Sequence, residues 1–334
     1  EVIAGVLRGE KKDSMEDLGR IVAGKPRIVS TGGHYAYLKI AEGCDKRCTY
    51  CIIPYIRGRY RSVPIEVLLE EAEKLVAGGV RELILVAQET TLYGVDLYGE
   101  KSLPRLLKEL AKIDELQWIR IQYCYPEEID EALIGVISEE PKICHYLDLP
   151  IQHSEDEVLK NMGRKTRRVE LEGIIARLRE RIPDICLRTT LISGFPGETE
   201  EDHQRLKDFV RRMRFERLGV FPYSAEEGTV AERMDKQVPE ETKRQRCDGI
   251  MALQQEIAFE KAQAMEGRVL SCIVEGRIPE EHVLVCRSYM DAPDVDGYVF
   301  ADTDREYMSG TIVKIRVTGS EEYDLIGEIM DEPT

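Results

Sequence analysis

The sequence predicts an α/β chain: a partial TIM-like barrel of about six βα units followed by a small antiparallel β-barrel. Three observations carry that reading. From Tyr35 onward short apolar strands alternate with amphipathic helices, the signature of a parallel sheet covered by helices. The strands stop at six, short of the eight that close a TIM barrel, which leaves a lateral opening suited to a bulky substrate. After Glu266-Gly267 the texture changes to short β-rich runs separated by turns.

Residues 1–34 open without a methionine and run through Gly9-Glu10-Lys11-Lys12-Asp13 to Gly32-Gly33 with little apolar periodicity, so they read as a linker. The first strand, Tyr37 to Ala41, delivers a cysteine loop at its C-terminal end, where parallel α/β folds place their chemistry. Pro64 opens a helix whose Val67, Leu68, Ala72, Leu75 and Val76 share one face, ending at Gly78-Gly79. Further strands are expected at Glu82 to Ala87, Trp118 to Gln122, Tyr146 to Pro150, Ile185 to Ile192 and Arg217 to Phe221. Helices are expected near Leu103 to Leu110, Glu155 to Asn161, Val169 to Arg181 and Glu200 to Arg212. The charged stretch from Pro239 to Met265 reads as a helix packed back on the barrel. Runs at Val269 to Val274, His282 to Cys286, Val299 to Phe300, Ile312 to Val317 and Leu325 to Ile329 then form the second barrel. The organisation is a linker at 1–34, a core at 35–265 and a β-barrel at 266–334.

Composition narrows the class. With 43% apolar residues in 334, the chain can bury a sizeable core. It contains no run of about 18 apolar residues and no basic-then-apolar leader pattern, so the expectation is a cytoplasmic protein with no membrane partner. Nine cysteines, an odd number, argue against a disulfide scaffold. Six of them, Cys124, Cys144, Cys186, Cys247, Cys272 and Cys286, are scattered and read as small buried hydrophobes. The net charge of −16 disfavours adsorption to a phosphate backbone, which makes a nucleic-acid partner unlikely and a basic one natural.

The chemistry sits in Glu42-Gly43-Cys44-Asp45-Lys46-Arg47-Cys48-Thr49-Tyr50-Cys51. Cysteines at C-x3-C-x2-C spacing suit a loop wrapped round one iron-sulfur cluster. Three ligands on a cube of four irons leave one iron open. Structural zinc, the other reading of close cysteines, normally takes four protein ligands, and no nearby His or fourth Cys follows. Gly194-Phe195-Pro196-Gly197-Glu198 is the second motif: its glycines admit a cofactor close to the backbone, and the helix that follows favours anionic groups at its N-terminus. Gln88, Gln152 and Arg188 lie at or near strand ends. His145 and His153 are left without a role.

The three-cysteine loop, including aromatic Tyr50 before its last cysteine, closely resembles that of the radical S-adenosylmethionine (SAM) superfamily. The resemblance implies a 4Fe-4S cluster on Cys44, Cys48 and Cys51, SAM chelated by the open iron, and reductive cleavage of SAM to a carbon radical that takes a hydrogen from substrate. It implies SAM contacts at Tyr50, Gln88, Gln152, Arg188, Gly194 and Phe195. From Tyr35 onward the chain is similar to methylthiotransferases with a C-terminal TRAM barrel, through Asn161-Met162-Gly163-Arg164 and Gly194-Phe195-Pro196-Gly197-Glu198-Thr199. Gln88-Glu89-Thr90-Thr91, Leu149-Pro150-Ile151-Gln152-His153 and Met290-Asp291-Ala292-Pro293-Asp294-Val295-Asp296-Gly297 resemble the RimO branch, whose members modify an aspartate β-carbon in the twelfth protein of the small ribosomal subunit. The alternatives are the branch that modifies an adenosine of transfer RNA and, from another class, an RNA-binding module with a structural cluster. The resemblance also implies an electron donor such as flavodoxin or ferredoxin, and an N-terminal domain with three further cysteines and a second cluster. Residues 1–34 contain no cysteine, so sulfur delivery is in doubt for this chain.

Charge distinguishes the two enzyme branches. Residues 266–334 hold 6 Lys and Arg against 16 Asp and Glu, a net of −10 out of −16, which would repel RNA and attract a basic ribosomal protein. Asp291, Asp294 and Asp296 are the expected partner contacts. Titrated over a range of salt, the chain should bind the ribosomal protein and not transfer RNA. Tight RNA binding that weakens with salt by about 0.7 to 0.9 in log–log slope per phosphate would reverse the choice.

Overall fold

The computed structural model describes residues 7–9 and 29–330, so most of the expected linker lies outside the described residues. Six parallel strands form one sheet in the order β1 (Tyr35–Lys39), β4 (Glu82–Val86), β5 (Trp118–Ile121), β6 (Ile143–Asp148), β7 (Cys186–Ser193) and β8 (Arg217–Pro222). Strand order follows chain order because each crossover carries the chain to the next position round an incomplete barrel. The register starts with Tyr35 opposite Glu82 and Glu82 opposite Trp118.

Crossover helices cover the outside: α2 (Ile65–Ala77), α4 (Leu103–Ala111), α5 (Glu131–Glu139), α7 (Arg168–Arg181) and α8 (Glu200–Met213), with the short helices α3 (Val95–Tyr98) and α6 (Asp156–Asn161) in the connections. Each buries its apolar stripe, as α4 does with Leu103, Leu106, Leu107 and Leu110. Helix α5, absent from the sequence reading, begins where the Asp130 carboxylate accepts the Leu133 amide at 2.9 Å. Two small insertions flank the cysteine loop: the pair β2 (Ala41–Glu42) and β3 (Arg61–Ser62), and the short helix α1 (Ile53–Arg57). The 24-residue helix α9 (Glu240–Gln263) runs back along β8 and leads to the second barrel.

That barrel is closed in the order β10 (Val283–Ser288), β11 (Val299–Asp302), β13 (Asp324–Ile329), β12 (Ile312–Glu321), β9 (Val269–Ile278). The expected strands are present, but the seam between β11 and β13 is parallel. Parity requires this: a closed ring of five strands cannot alternate direction all the way round.

The two barrels are fastened by buried charge. Glu82, the first residue of β4, accepts Arg120 Nε at 2.7 Å and Arg287 Nη2 at 2.6 Å, and all three side chains are fully buried. Arg287 Nε also reaches Glu275 at 2.6 Å, while Arg120 and Arg287 donate to the carbonyls of Tyr289 and Asp291. Burial opposes the charge of Glu82, yet Arg120 and Arg287 outweigh it and hold the carboxyl below its usual range.

The acidic turn expected to meet a partner borders this seam, and burial there takes Asp291 and Asp296, though not the exposed Asp294, away from any partner. Asp291 is 2% exposed and takes Arg217 Nη2 and Ser288 Oγ, each at 2.6 Å. Asp296 accepts the Tyr146 hydroxyl at 2.8 Å and the Ala292 amide at 2.9 Å. Asp294, in the left-handed region at φ 59°, accepts the Tyr35 hydroxyl at 2.9 Å. The negative charge of Asp291 and Asp296 is spent on Arg217 and Arg188 inside the seam, whereas Asp294 stays exposed.

Glu82→Gln leaves two buried guanidiniums short of their counter-charge and should cost about 3–5 kcal/mol, measured by urea unfolding near neutral pH. The depressed pKa makes this contribution present above the ordinary carboxylate value and lost as pH falls through the folded one, so the variant and parent should converge in acid. A difference below about 1 kcal/mol would show the seam to be carried by its apolar contacts.

Candidate metal and cofactor site

The cysteine loop leaves β2 at the C-terminal mouth of the sheet and is clamped from four sides. Gly43 has φ +83°, and a Cβ there would lie 2.1 Å from the Arg59 carbonyl oxygen, so the tight return of the chain demands glycine. The Gly43 amide donates to Gln88 Oε1 at 2.7 Å, and the Cys44 amide to the Gly58 carbonyl at 3.2 Å. Opposite, the Thr49 amide and hydroxyl donate to the carbonyls of Met162 at 3.0 Å and Asn161 at 2.7 Å. Gly163, at φ +73°, is the second required glycine: a Cβ would stand 2.8 Å from the Arg47 carbonyl oxygen. Ala231 closes the fourth side by donating its amide to the Thr49 carbonyl at 2.8 Å.

Cys44 and Cys48 are buried and Cys51 is half-buried. Burial pushes the Cys44 thiol up to about 11, with Cys48, Glu89 and Cys51 nearby adding to the shift. Such a set favours a cationic guest, which stabilises the thiolates that burial disfavours. Among the described residues no three His, Cys, Asp or Glu side chains gather about one point as ligands of a single ion. A four-iron cube presents separate corners, so its thiolates need not share a point.

Orphaned polar atoms line the ends of adjacent strands. Past β4, Glu89 is fully buried; its Oε1 accepts the Thr91 amide at 2.9 Å and its Oε2 has no partner. Burial pushes its carboxyl up to about 7 against the hydrogen bonds from Thr91. Past β6, Gln152 adopts φ +70°, is 4% exposed, and its Oε1 lacks a partner. At the end of β7, Ser193 Oγ is buried without a partner, and past β5 Tyr123 sits at φ +62°. Strained non-glycine backbone and unsatisfied buried atoms at the C-terminal ends of parallel strands mark a place built for a polar ligand. A cofactor with ammonium, carboxylate and ribose groups fits that donor and acceptor set.

The other expected contacts fall differently. The Gln88 carbonyl is committed to Gly43, and Arg188 Nη1 to Asp148 at 2.9 Å, whose second oxygen accepts the Tyr123 amide at 3.2 Å. The amides of Gly194 and Phe195 both donate to Glu198 Oε2, at 2.6 and 3.1 Å, so the anion at this turn is the chain's own carboxylate, held by Arg246 at 3.0 Å. Gly194 is required by Lys243, whose Cγ would lie 2.3 Å from a Cβ. Phe195 is buried edge-on to Tyr50 at 6.4 Å and Tyr223 at 5.2 Å, an aromatic wall beside the cysteine loop.

His153 is fully buried, and burial holds it neutral by pushing its pKa down to about 3. His145 pairs with Asp184 at 2.6 Å, away from the site. The six scattered cysteines are all buried and unbonded to one another, as expected of small hydrophobes. Sequence reasoning passed over Glu89 and Ser193. A carboxylate one residue beyond a parallel strand's last polar position was the available signal for Glu89.

Comparison with known proteins agrees with this geometry. Residues 38–210 match the radical SAM superfamily and residues 267–330 the TRAM domain. The ribosomal protein uS12 methylthiotransferase RimO of Lachnoclostridium phytofermentans is 59% identical over 328 residues, covering 98% of this chain and 74% of that relative. Its counterpart in Desulfitobacterium hafniense is 49% identical, over 91% of this chain and 68% of the relative. Among solved structures, the radical SAM coproporphyrinogen III oxidase HemN of Escherichia coli aligns with a TM-score of 0.50 at 19% identity, over 66% of this chain and 52% of that one, a likeness of fold.

The raised pKa of Glu89 fixes a sign. A carboxyl that holds its proton more tightly folded than unfolded contributes stability below its ordinary value near 4.5, and that contribution is lost as pH rises toward 7. Glu89→Gln, which mimics the protonated form, should therefore stabilise the cofactor-free chain at pH 8 by about 3 kcal/mol and make little difference at pH 4.5. Urea unfolding at the two pH values checks it; an equal effect at both would place the carboxylate in a solvated site.

Proposed function

We propose, for a chain that belongs to the radical SAM superfamily and within it to the RimO methylthiotransferases, that it converts a C–H bond at the β-carbon of an aspartate in ribosomal protein uS12 into C–S–CH3. The observation that carries this is the three-cysteine loop, clamped at the mouth of a six-stranded partial barrel beside unsatisfied polar atoms on the neighbouring strands. A 4Fe-4S cluster and SAM, bound together there, supply the means to take hydrogen from an unactivated C–H bond.

The chain's own residues do the rest. Cys44, Cys48 and Cys51 would hold the cluster through their thiolates, leaving one iron free for SAM. The unpartnered oxygen of Glu89 would accept the SAM ammonium, and Gln152 and Ser193 would take its remaining polar groups. Tyr50 and Phe195 form the aromatic wall that keeps water from the reacting centre. Gln88 and Arg188 act behind the site, the first by holding Gly43 and the second by ordering Asp148 against the Tyr123 amide. Residues 35–265 form the catalytic core and 266–334 the TRAM barrel. The reductant is a small electron-transfer protein such as a flavodoxin or ferredoxin, and the reaction takes place in the cytoplasm. Among the described residues no helix is long and apolar enough to cross a membrane.

The test is anaerobic reconstitution followed by product analysis. The chain should take up four irons and cleave SAM under reduction, and Cys44→Ala, Cys48→Ala or Cys51→Ala should each lower cleavage by at least a hundredfold with the fold retained. Of uS12 and transfer RNA supplied side by side, uS12 should stimulate cleavage and carry any methylthio mass. Stimulation by transfer RNA alone would move the chain to the adenosine-modifying branch, and SAM cleavage by the cysteine variants would overturn the cluster assignment.

A further inference from the structure

Behind Cys48 lies a group of side chains that the site as described does not use. The hydroxyl of Tyr125, a residue 5% exposed, stands 3.6 Å from Cys48 Sγ. Two cations lie over its ring: the Arg164 guanidinium carbon 4.2 Å from the centroid, and Lys46 Nζ 5.0 Å from it. Arg164 is 7% exposed; its Nη2 donates to the Pro150 carbonyl at 3.2 Å and stands 3.8 Å from a Glu127 oxygen, while its Nε has no hydrogen-bond partner. Lys46 is held by Glu128 at 2.5 Å and Glu127 at 3.5 Å. Arg164 follows directly on Asn161-Met162-Gly163, the segment that grips Thr49 and packs on Arg47, so the cation over the ring and the loop carrying Cys48 move as one body.

A thiolate bound to iron has no proton to give, so in the pair Tyr125–Cys48 the phenol donates. Cations over the ring draw on its π-density and strengthen that donation, and burial keeps water from screening the effect. Reduction adds one negative charge to the cluster. Hydrogen bonds to its sulfurs and nearby positive charge therefore favour the reduced state and raise the potential.

Resting on the cluster assignment above, we propose that Tyr125, backed by Arg164 and Lys46, is a positioning residue that sets the reduction potential of the cluster by donating its phenol hydrogen to the Cys48 thiolate. Its role is to bring the cluster within reach of a soluble reductant.

The experiment is a redox titration of the anaerobically reconstituted chain, followed by electron paramagnetic resonance of the reduced cluster, with iron and sulfide content measured on each sample. Tyr125→Phe keeps the ring and its cations and removes only the donor. At a fixed potential it should lower the reduced-to-oxidised ratio about tenfold, a downward shift of about 59 mV for a one-electron couple. Arg164→Gln should shift the potential in the same direction, and Arg164→Lys should restore most of it. An unchanged midpoint in Tyr125→Phe with full iron content overturns the proposal. If Tyr125→Phe loses its cluster, the Arg164 pair decides: a lower potential for Gln than for Lys supports it, and equal potentials overturn it. Loss of iron from all three variants reduces the group to a scaffold and also overturns it. If the unsubstituted chain assembles no four-iron cluster, the functional reading falls as well; with the cluster present and the midpoint unmoved, only this inference does.

Discussion

Three thiols gathered in a short buried loop repel one another as soon as they ionise, and much of the mouth of the barrel exists to hold them together. Burial alone drives the Cys44 thiol toward its protonated form. Geometry must therefore be imposed from outside the loop. Gln88 from the neighbouring strand, the Gly58–Arg59 return and the Asn161–Gly163 turn supply it through backbone contacts in which two glycines are required. The loop is rigid because its partners belong to different crossovers of the same sheet, and the sheet cannot shift one without the others.

The opposite ends of the strands solve a different problem. A five-residue strand rises about 3.3 Å per residue, so Glu82 and the residues past Val86 stand roughly 17 Å apart along β4. At the Glu82 end an open partial barrel would expose its interior, and the second barrel covers it with charge as well as with apolar side chains. Buried ion pairs give little net stability, but their geometry is exacting, and Glu82 between Arg120 and Arg287 permits one docking angle. Arg188 links the two ends: it meets Asp296 from the second barrel and Asp148, which in turn orders Tyr123 at the mouth. The orientation of the TRAM barrel is thereby coupled to backbone beside the cofactor.

That coupling changes the reading of charge. Net charge counts every carboxylate alike, whereas the seam consumes Glu82, Glu275, Asp291 and Asp296 within the chain. The steering field of the second barrel comes from the acids left on its solvent face, such as Glu280, Glu281, Glu321 and Glu322.

The sequence by itself determined whatever is local or periodic. Alternating strands and helices gave the six parallel strands to within three residues at either end, the C-x3-C-x2-C spacing singled out the loop at the mouth of the sheet, and the β-rich tail foretold five strands. Even the parallel seam was implicit in that odd number. What only the tertiary structure decided depends on pairings between distant residues. No spacing rule reveals that Asp291 meets Arg217, that Glu198 occupies the amides of Gly194 and Phe195, or that Glu89 keeps a buried oxygen free. A polar side chain has the same identity in sequence whether it faces solvent, a ligand or a partner 200 residues away. Its role is set by burial and by what stands within 3 Å, and both are properties of the folded chain alone.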